Sequence, residues 1–393
     1  MSFNNTEREE LVIESPNQLV IVFGKLLGVV APNCSVDIEP LSEAAILSSV
    51  YQVTVSVNES DQPSRWIAKF LRPTLLLEQM FDVEGTFYKS LADEHWNELD
   101  SSIHIPKALY CGPKCIILEY VPDTISFTLL EGCPLERLEL VLSSLARIHA
   151  HFWHRPPIAG LSSTAGIGSA MSGLEKEETF PNLWKAFVND VALNHDEKQK
   201  LVALCTDLSK RKLQDIHKHV HDYQPTLIHG DFHVGNMLFH NDSKFTLLDW
   251  ATCGAGNNMV DVVFFLVVST NLNMNEIMST WLPLYHKVLL ESNPTIDFSW
   301  EKCVSHFRTC LLNQFLVLVC YDEISKSLLA FHVESRNALD HYTRHFENVN
   351  RRCVEALLSE EMNIFEYPLP QFKTTSSTTN PRRERRDNVI RQL

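Results

Sequence analysis

The spacing of apolar positions changes twice along this chain, and each change marks a shift in organisation. Residues 11–30 place apolar side chains at roughly helical intervals and stop at Pro32, which predicts a leading helix. From Val36 the interval shortens towards two: VDIEPL, SSVYQVTVSVN and RWIAKFL carry β-branched and aromatic residues in near alternation, broken by Asn-Glu-Ser-Asp-Gln-Pro. That pattern predicts a strand and then a hairpin. LLLEQMFDVEGTFYKSLADEH returns to helical spacing, and Ile105 to Val121 gives two more strands around Tyr110-Cys-Gly-Pro-Lys114. Residues 36–121 therefore predict an antiparallel sheet with one helix. After Leu129 the period is mainly helical, over 134–153, 175–194, 196–219, 257–270, 274–291, 298–325 and 327–359. One interruption matters: TLIHGDFHVGNMLFHNDSKFTLLDWATCG holds two short apolar runs joined by a polar turn, a β-hairpin preceded by a loop.

Composition adds limits to this picture. A chain of 393 residues, 45% apolar and 21% charged, has room for two lobes and a sizeable core. The expected division is a β-rich N-terminal lobe over 1–125, a helical lobe over 126–369 and a disordered basic tail over 370–393. That tail carries a Thr/Ser run and Arg382, Arg383, Arg385 and Arg386 with no core-forming residues. A net charge of −15 argues against a nucleic-acid binder, which needs a basic surface to neutralise phosphates. The ten cysteines form no Cys-x-x-Cys pair and read as reduced thiols packed as small apolar residues. MSFNNTEREELVIES has neither the basic nor the apolar region of a signal peptide. The runs Val262–Val268 and Phe315–Cys320 are too short to span a bilayer. The expectation is a cytoplasmic protein without a membrane span.

The chemistry-bearing residues cluster in the interruption. In His229-Gly230-Asp231-Phe232-His233-Val234-Gly235-Asn236 a carboxylate precedes a carboxamide by five residues, and Asp249 follows at the end of the apolar run Phe245–Leu248. A hairpin of that length brings its ends together, so Asn236 and Asp249 can face one cleft. Phosphoryl transfer asks for these groups: magnesium takes hard oxygen ligands from one or two protein groups plus phosphates, and a separate carboxylate orients an acceptor hydroxyl. A metal-hydrolase cluster built on His229 and His233 is the competing reading, although both lie on a loop with no second ligand group nearby in sequence. Gly254-Ala255-Gly256 begins a G-x-G pattern, but Met259 fills its sixth position and no βαβ unit surrounds it. These glycines read as a turn.

The run from His229 to Asn236 resembles the H-G-D-x-x-x-x-N catalytic loop of the aminoglycoside phosphotransferase and choline kinase-like family, which includes the ecdysteroid-kinase-like branch. Leu248-Asp249-Trp250 stands where that family carries an aspartate followed by an aromatic, and Asp261 matches its downstream helix aspartate, which buttresses the loop. The resemblance implies an α+β, two-lobed protein-kinase-like fold and an ATP- and magnesium-dependent kinase acting on a small-molecule hydroxyl. It implies Asp231 as catalytic base and Asn236 and Asp249 as metal ligands. Lys69, on a strand among apolar residues, fits the lysine that contacts the α- and β-phosphates. Glu84, before Phe87-Tyr88, fits its ion-pair partner, with Glu78 as the rival. Residues 41–50 hold no glycine where a phosphate-covering loop belongs, so Ser48 and Ser49 are the candidate donors there. Glu119 and Val121 read as the adenine-facing hinge, and His149 as a structural residue of the Leu-Ala-x-x-His helix.

The acceptor stays open among an amino sugar, a choline-like alcohol and a steroid or lipid alcohol. Trp153, Trp184, Phe187 and Trp281 either wall an apolar pocket or belong to the core. The alternative to an active kinase is a catalytically weak pseudokinase serving as a binding or scaffold protein.

Overall fold

A computed structural model describes residues 13, 15–26, 34–42, 48–57, 63–71, 75–90, 96, 101–155, 180–191, 193–210, 216, 220, 223, 225–332, 336–360 and 362. Helix α1 (Leu19–Leu26) precedes strands β1 (Cys34–Ser42), β2 (Ser48–Val57) and β3 (Ser64–Leu71), then helix α2 (Leu75–Ser90). Short strands β4 (Ile103–His104), β5 (Ala108–Cys111), β6 (Cys115–Glu119) and β7 (Ile125–Ser126) lead to helix α3 (Leu135–His151). Helices α4 (Phe180–Asp190) and α5 (His195–Lys210) come before strands β8 (Thr226–Ile228), β9 (Met237–Asn241), β10 (Lys244–Leu247) and β11 (Gly254–Gly256). Helix α6 (Met259–Val263) runs into a π-helical turn (Phe264–Val268), and α7 (Met274–Glu276) passes through another (Ile277–Trp281) into α8 (Leu282–Ser292). The long helices α9 (Trp300–His332) and α10 (Arg336–Leu358) follow.

The small lobe follows from period-two patterning. Strands β1-β2-β3-β6-β5 form one antiparallel sheet. Val53, Val55, Ala68, Phe70, Cys115 and Ile117 pack on one face with Leu19, Val22 and Phe23 of α1. Alternation sends Ile67, Leu71, Ile116 and Leu118 to the other face, into the core that α2 fills with Phe81, Val83 and Phe87. Lys69 shares the parity of Ile67 and Leu71, so it sits on the α2 face. On α2, Met80, Glu84, Phe87 and Tyr88 are buried at helical intervals while Gln79, Asp82 and Lys89 face solvent.

The large lobe is helical, as its sequence period requires, and the whole is the two-lobed protein-kinase-like arrangement. The core under α2 continues without a break through α3, the β9–β10 hairpin, α9 and α10. Among the described residues no helix is long and apolar enough to cross a membrane. The described cysteines are free thiols, and all but Cys111 are buried.

Several features depart from the sequence reading. Helix α9 runs unbroken across 325–327, where the sequence predicts a break, and the leading helix is a 3-10 turn (Pro16–Gln18) followed by α1. A small sheet, β4-β10-β9-β7, includes a parallel pairing of Phe245 and Thr246 with Ile103 and His104. Gly254, Ala255 and Gly256 do not form a turn; they pair as β11 with Ile228, Leu227 and Thr226. The physical reason is close approach: a Cβ on Gly256 would collide with the Ile228 side chain. The basic tail lies outside the described residues.

Phe87 is fully buried and stacks on Trp250 with ring centroids 3.9 Å apart and planes 7° from parallel. Phe87→Ala should lower unfolding free energy by about 3–5 kcal/mol. Leu135→Ala, at a site 65% exposed, should stay within about 0.5 kcal/mol of the parent. Urea titration of the two variants checks this, and similar midpoint shifts would contradict the stacking role.

Candidate active site

The site is assembled at the C-terminal end of β8. After Ile228 the chain turns at Gly230, whose φ is +82°, and a Cβ there would meet the Thr252 carbonyl oxygen. Asp261, on α6 and fully buried, caps this turn. Its Oδ2 accepts from the His229 N–H (2.7 Å) and its Oδ1 from the Gly230 N–H (2.8 Å). His149 Nε2 lies 3.3 Å from the same Oδ2, and His149 Nδ1 lies 2.7 Å from the Tyr285 hydroxyl, which also accepts from Asn258 Nδ2 (2.9 Å). A carboxylate acceptor requires His149 to carry a proton on Nε2. His149 is thus the structural residue expected of it.

His229 packs inward. Its Nε2 donates to the Leu248 carbonyl (2.8 Å), its Nδ1 accepts from the Asp231 N–H (3.3 Å), and its own carbonyl accepts from Thr252 Oγ1 (3.0 Å). These bonds fix a neutral tautomer that ties the loop to the strand opposite. Asp231 then faces outward with its side chain 34% exposed. A 3-10 turn (Val234–Asn236) follows, N-capped by His233, whose Nδ1 accepts from the Gly235 N–H (3.1 Å). Asn236 Nδ2 donates to the Asp231 carbonyl (3.0 Å) and lies 3.3 Å from Asp231 Oδ2.

The hairpin brings the second half of the site back. Met237 pairs with Leu247, and Leu248 N–H donates to the Asn236 carbonyl (2.9 Å), so Asp249 begins beside Asn236. Asp249 sits at φ 59°, a conformation costly for most side chains and best tolerated by Asp, Asn and Gly. Lys69 Nζ lies 3.4 Å from Asp249 Oδ1 and holds Glu84 with both carboxylate oxygens, at 2.7 and 2.8 Å. Trp250 inserts behind, against Phe87 on α2 and 4.6 Å from the His229 ring. The rival Glu78 is exposed, whereas Glu84 is 1% exposed.

Electrostatics follow from these contacts. Burial pushes the Lys69 ammonium down, but Asp249 and Glu84 outweigh it and hold Lys69 above its ordinary value. Burial opposes ionisation of Asp231, yet His233, His229 and Asn236 together bring it down to about 2. Burial holds His229 below the ordinary histidine value, while for His233 the pull of Asp231 exceeds burial and raises it.

The remaining sequence candidates fare differently. Ser48 pairs with Leu71 and Val50 with Lys69, so Ser48 lies on the Lys69 face. Ser49 pairs with Phe70, so its hydroxyl points to the face opposite Lys69, which leaves only its backbone for the expected donor role. The Glu119 N–H already donates to the Lys107 carbonyl (2.8 Å), and its carboxylate accepts from the Lys107 N–H (3.1 Å). The Val121 backbone makes no hydrogen bond among the described residues. Trp184 and Phe187 pack edge-on against Phe315, and Trp153 packs against Phe298; these are core residues, not pocket walls. Trp281 is partly buried against the same core. A cleft of about 480 Å³ opens elsewhere, lined by Asn271, Asn273, Arg351, Arg352 and Glu355 among others, and none of the phosphoryl-transfer candidates lines it. Sequence reasoning missed Thr252, Asn258 and Tyr285. No local pattern signals a contact such as His149–Tyr285, which joins residues 136 apart.

A family model described as ecdysteroid kinase-like matches residues 44–298, from just before β2 to Phe298. The chain belongs to the ecdysteroid kinase-like family. The match includes Lys69, Glu84, the whole His229–Asn236 loop, Asp249 and Asp261, and leaves α9 and α10 outside. No curated protein matches. Among solved structures, the chain is similar to a choline kinase from Cryptosporidium parvum (11% identity, TM-score 0.49, covering 89% of this chain and 100% of that one). It is also similar to an aminoglycoside phosphotransferase of the APH(2'')-IIa type complexed with gentamicin (14%, 0.46, 88% and 100%). A third likeness is the choline kinase LicA from Streptococcus pneumoniae (15%, 0.45, 87% and 99%).

Within this family member the donor set suits magnesium. Asn236 commits its amide nitrogen to Asp231, leaving its carbonyl oxygen without a partner among the described residues. Asp249 Oδ2 is likewise unpaired, so one neutral and one charged hard oxygen stand on adjacent hairpin ends.

Protonating His229 would set a new N–H against that of Asp231. The unfolded chain takes up this proton more readily than the folded one, so this share of stability is present above the ordinary value of about 6.5 and is lost as pH falls below it. The urea midpoint should fall from pH 7 to pH 5 in the parent and fall less in His229→Gln. Equal slopes would overturn the neutral assignment.

Proposed function

We propose that this chain is an ATP- and magnesium-dependent kinase that transfers a γ-phosphoryl group to the hydroxyl of a small molecule. One observation carries the reading: Asp231, Asn236, Asp249 and Lys69 form a connected set at the ends of the β9–β10 hairpin, with Glu84 buried beside Lys69. In this reading Lys69, aligned by Glu84, contacts the nucleotide phosphates, and the Val121 backbone meets the adenine edge. Asp231, ionised throughout the neutral range, orients the acceptor hydroxyl and takes its proton late in the transfer. Magnesium, held by Asn236 and Asp249, would neutralise charge on the phosphates as it develops. The residues are grouped as a nucleotide lobe over 1–125, a catalytic and acceptor lobe over 126–369 and a tail over 370–393. The acceptor belongs to the amino sugars, choline-like alcohols, or steroid and lipid alcohols.

A pseudokinase is the second reading, favoured by the absence of glycine from 41–50, where a phosphate-covering loop is expected. The two differ in turnover. Asp231→Asn should reduce Mg·ATP-dependent phosphorylation across a panel of small alcohols by roughly 10²–10⁴, while Mg·ATP still raises the melting temperature. At about a hundred times Kd that stabilisation is about 2.7 kcal/mol. A parent protein with no Mg·ATP turnover, or a variant with undiminished turnover, would rule out the kinase assignment.

A further inference from the structure

His233 has no part in the reading above, yet it is built into the loop from two sides. Its Nδ1 accepts the Gly235 N–H at 3.1 Å, so that nitrogen presents a lone pair and the ring proton resides on Nε2. Nε2 in turn lies 3.4 Å from Asp231 Oδ2. The same oxygen has Asn236 Nδ2 at 3.3 Å on its other side. Asp231 Oδ1 has no partner among the described residues, and the Asp231 side chain is 34% exposed. The imidazole is seated by its neighbours: the Phe264 ring flanks it at 5.8 Å, and a Cβ on residue 235 would stand 3.0 Å from its Nδ1 and Cε1. Gly235 is therefore the residue that lets the ring lie across the turn.

We propose that His233 is a positioning residue for Asp231. With Asn236 it engages Oδ2 and so fixes the carboxylate plane, which leaves Oδ1 as the oxygen presented to the acceptor hydroxyl. A contact of 3.4 Å is long for a hydrogen bond; such contacts in ligand-free sites shorten when the cleft closes on substrate. The geometry also separates two jobs within one side chain. Capping the turn needs an acceptor at the Nδ1 position, which an asparagine Oδ1 can supply. Reaching Asp231 needs a donor at the Nε2 position, and an asparagine is too short to supply it.

This inference rests on Asp231 being the base, and the test keeps the two apart. Mg·ATP alone serves as the probe, with hydrolysis to water standing in for transfer to the acceptor. The parent, Asp231→Asn, His233→Asn and His233→Gln are compared in the full chain. The expected result is a melting temperature and an ATP KM for His233→Asn close to the parent's. Its kcat should fall roughly 10- to 100-fold, the scale of a misplaced reacting group, with partial recovery in His233→Gln, whose longer arm restores a donor. A kcat for His233→Asn within twofold of the parent overturns the proposal. So does a fall in kcat accompanied by an equal loss of stability in both His233 variants, because a purely structural ring predicts that. Hydrolysis that does not depend on Asp231 overturns the functional reading, and the role of His233 with it.

Discussion

A single buried carboxylate holds the active region in shape. Among the described residues no lysine or arginine pairs with Asp261, and its oxygens are met by the His229 and Gly230 amides and by His149. Two backbone N–H donors and a ring N–H satisfy the buried carboxylate. The consequence is geometric: the two amides converge on Asp261 only if the chain turns at Gly230. That turn in turn aims Asp231 outward and His229 inward. Tyr285 and Asn258 extend the same network to α8 and the start of α6, so the loop is referred to the helical scaffold and not to its own sequence neighbours.

The link to the small lobe is of a different kind. Lys69 bridges Glu84 on α2 and Asp249 on the hairpin, while Phe87, three residues beyond Glu84, stacks on Trp250 next to Asp249. Polar and apolar contacts therefore run side by side from α2 to the hairpin. A shift of α2 that parted the charges would also part the rings. The continuity of the core beneath makes the same point: the lobes share buried side chains at this seam.

Much of this was legible in the sequence because it is local. Period two across 36–121 and helical period beyond Leu129 give the elements, and the His229–Asn236 run with Asp249 gives the loop. Glu84 over Glu78 follows from the Phe87-Tyr88 pair behind it. What was not legible depends on pairing at a distance. The parallel ladder of β4 with β10 rests on two residues a side, too few to leave a pattern. Whether Ser48 or Ser49 faces Lys69 is a matter of register between β2 and β3, which a one-residue slip would reverse. Gly254 and Gly256 looked like turn residues because glycine signals a turn and a close approach equally well; only the Ile228 side chain decides between them. Trp184 and Phe187 had the spacing of either a pocket wall or a core, and Phe315, more than a hundred residues on, decides that too.

The left-handed backbone at Asp249 bears on how this position can drift over evolutionary time. At φ 59° glycine, asparagine and aspartate are the residues that enter without a penalty of about 1–3 kcal/mol. Two of those three lack a charge. Most replacements at 249 are thus purged for instability before their effect on chemistry is felt, whereas Asn or Gly would leave the fold standing and the carboxylate gone. A lineage that stopped needing the carboxylate would be expected to carry asparagine or glycine there, and aspartate is the one of the three that this chain carries.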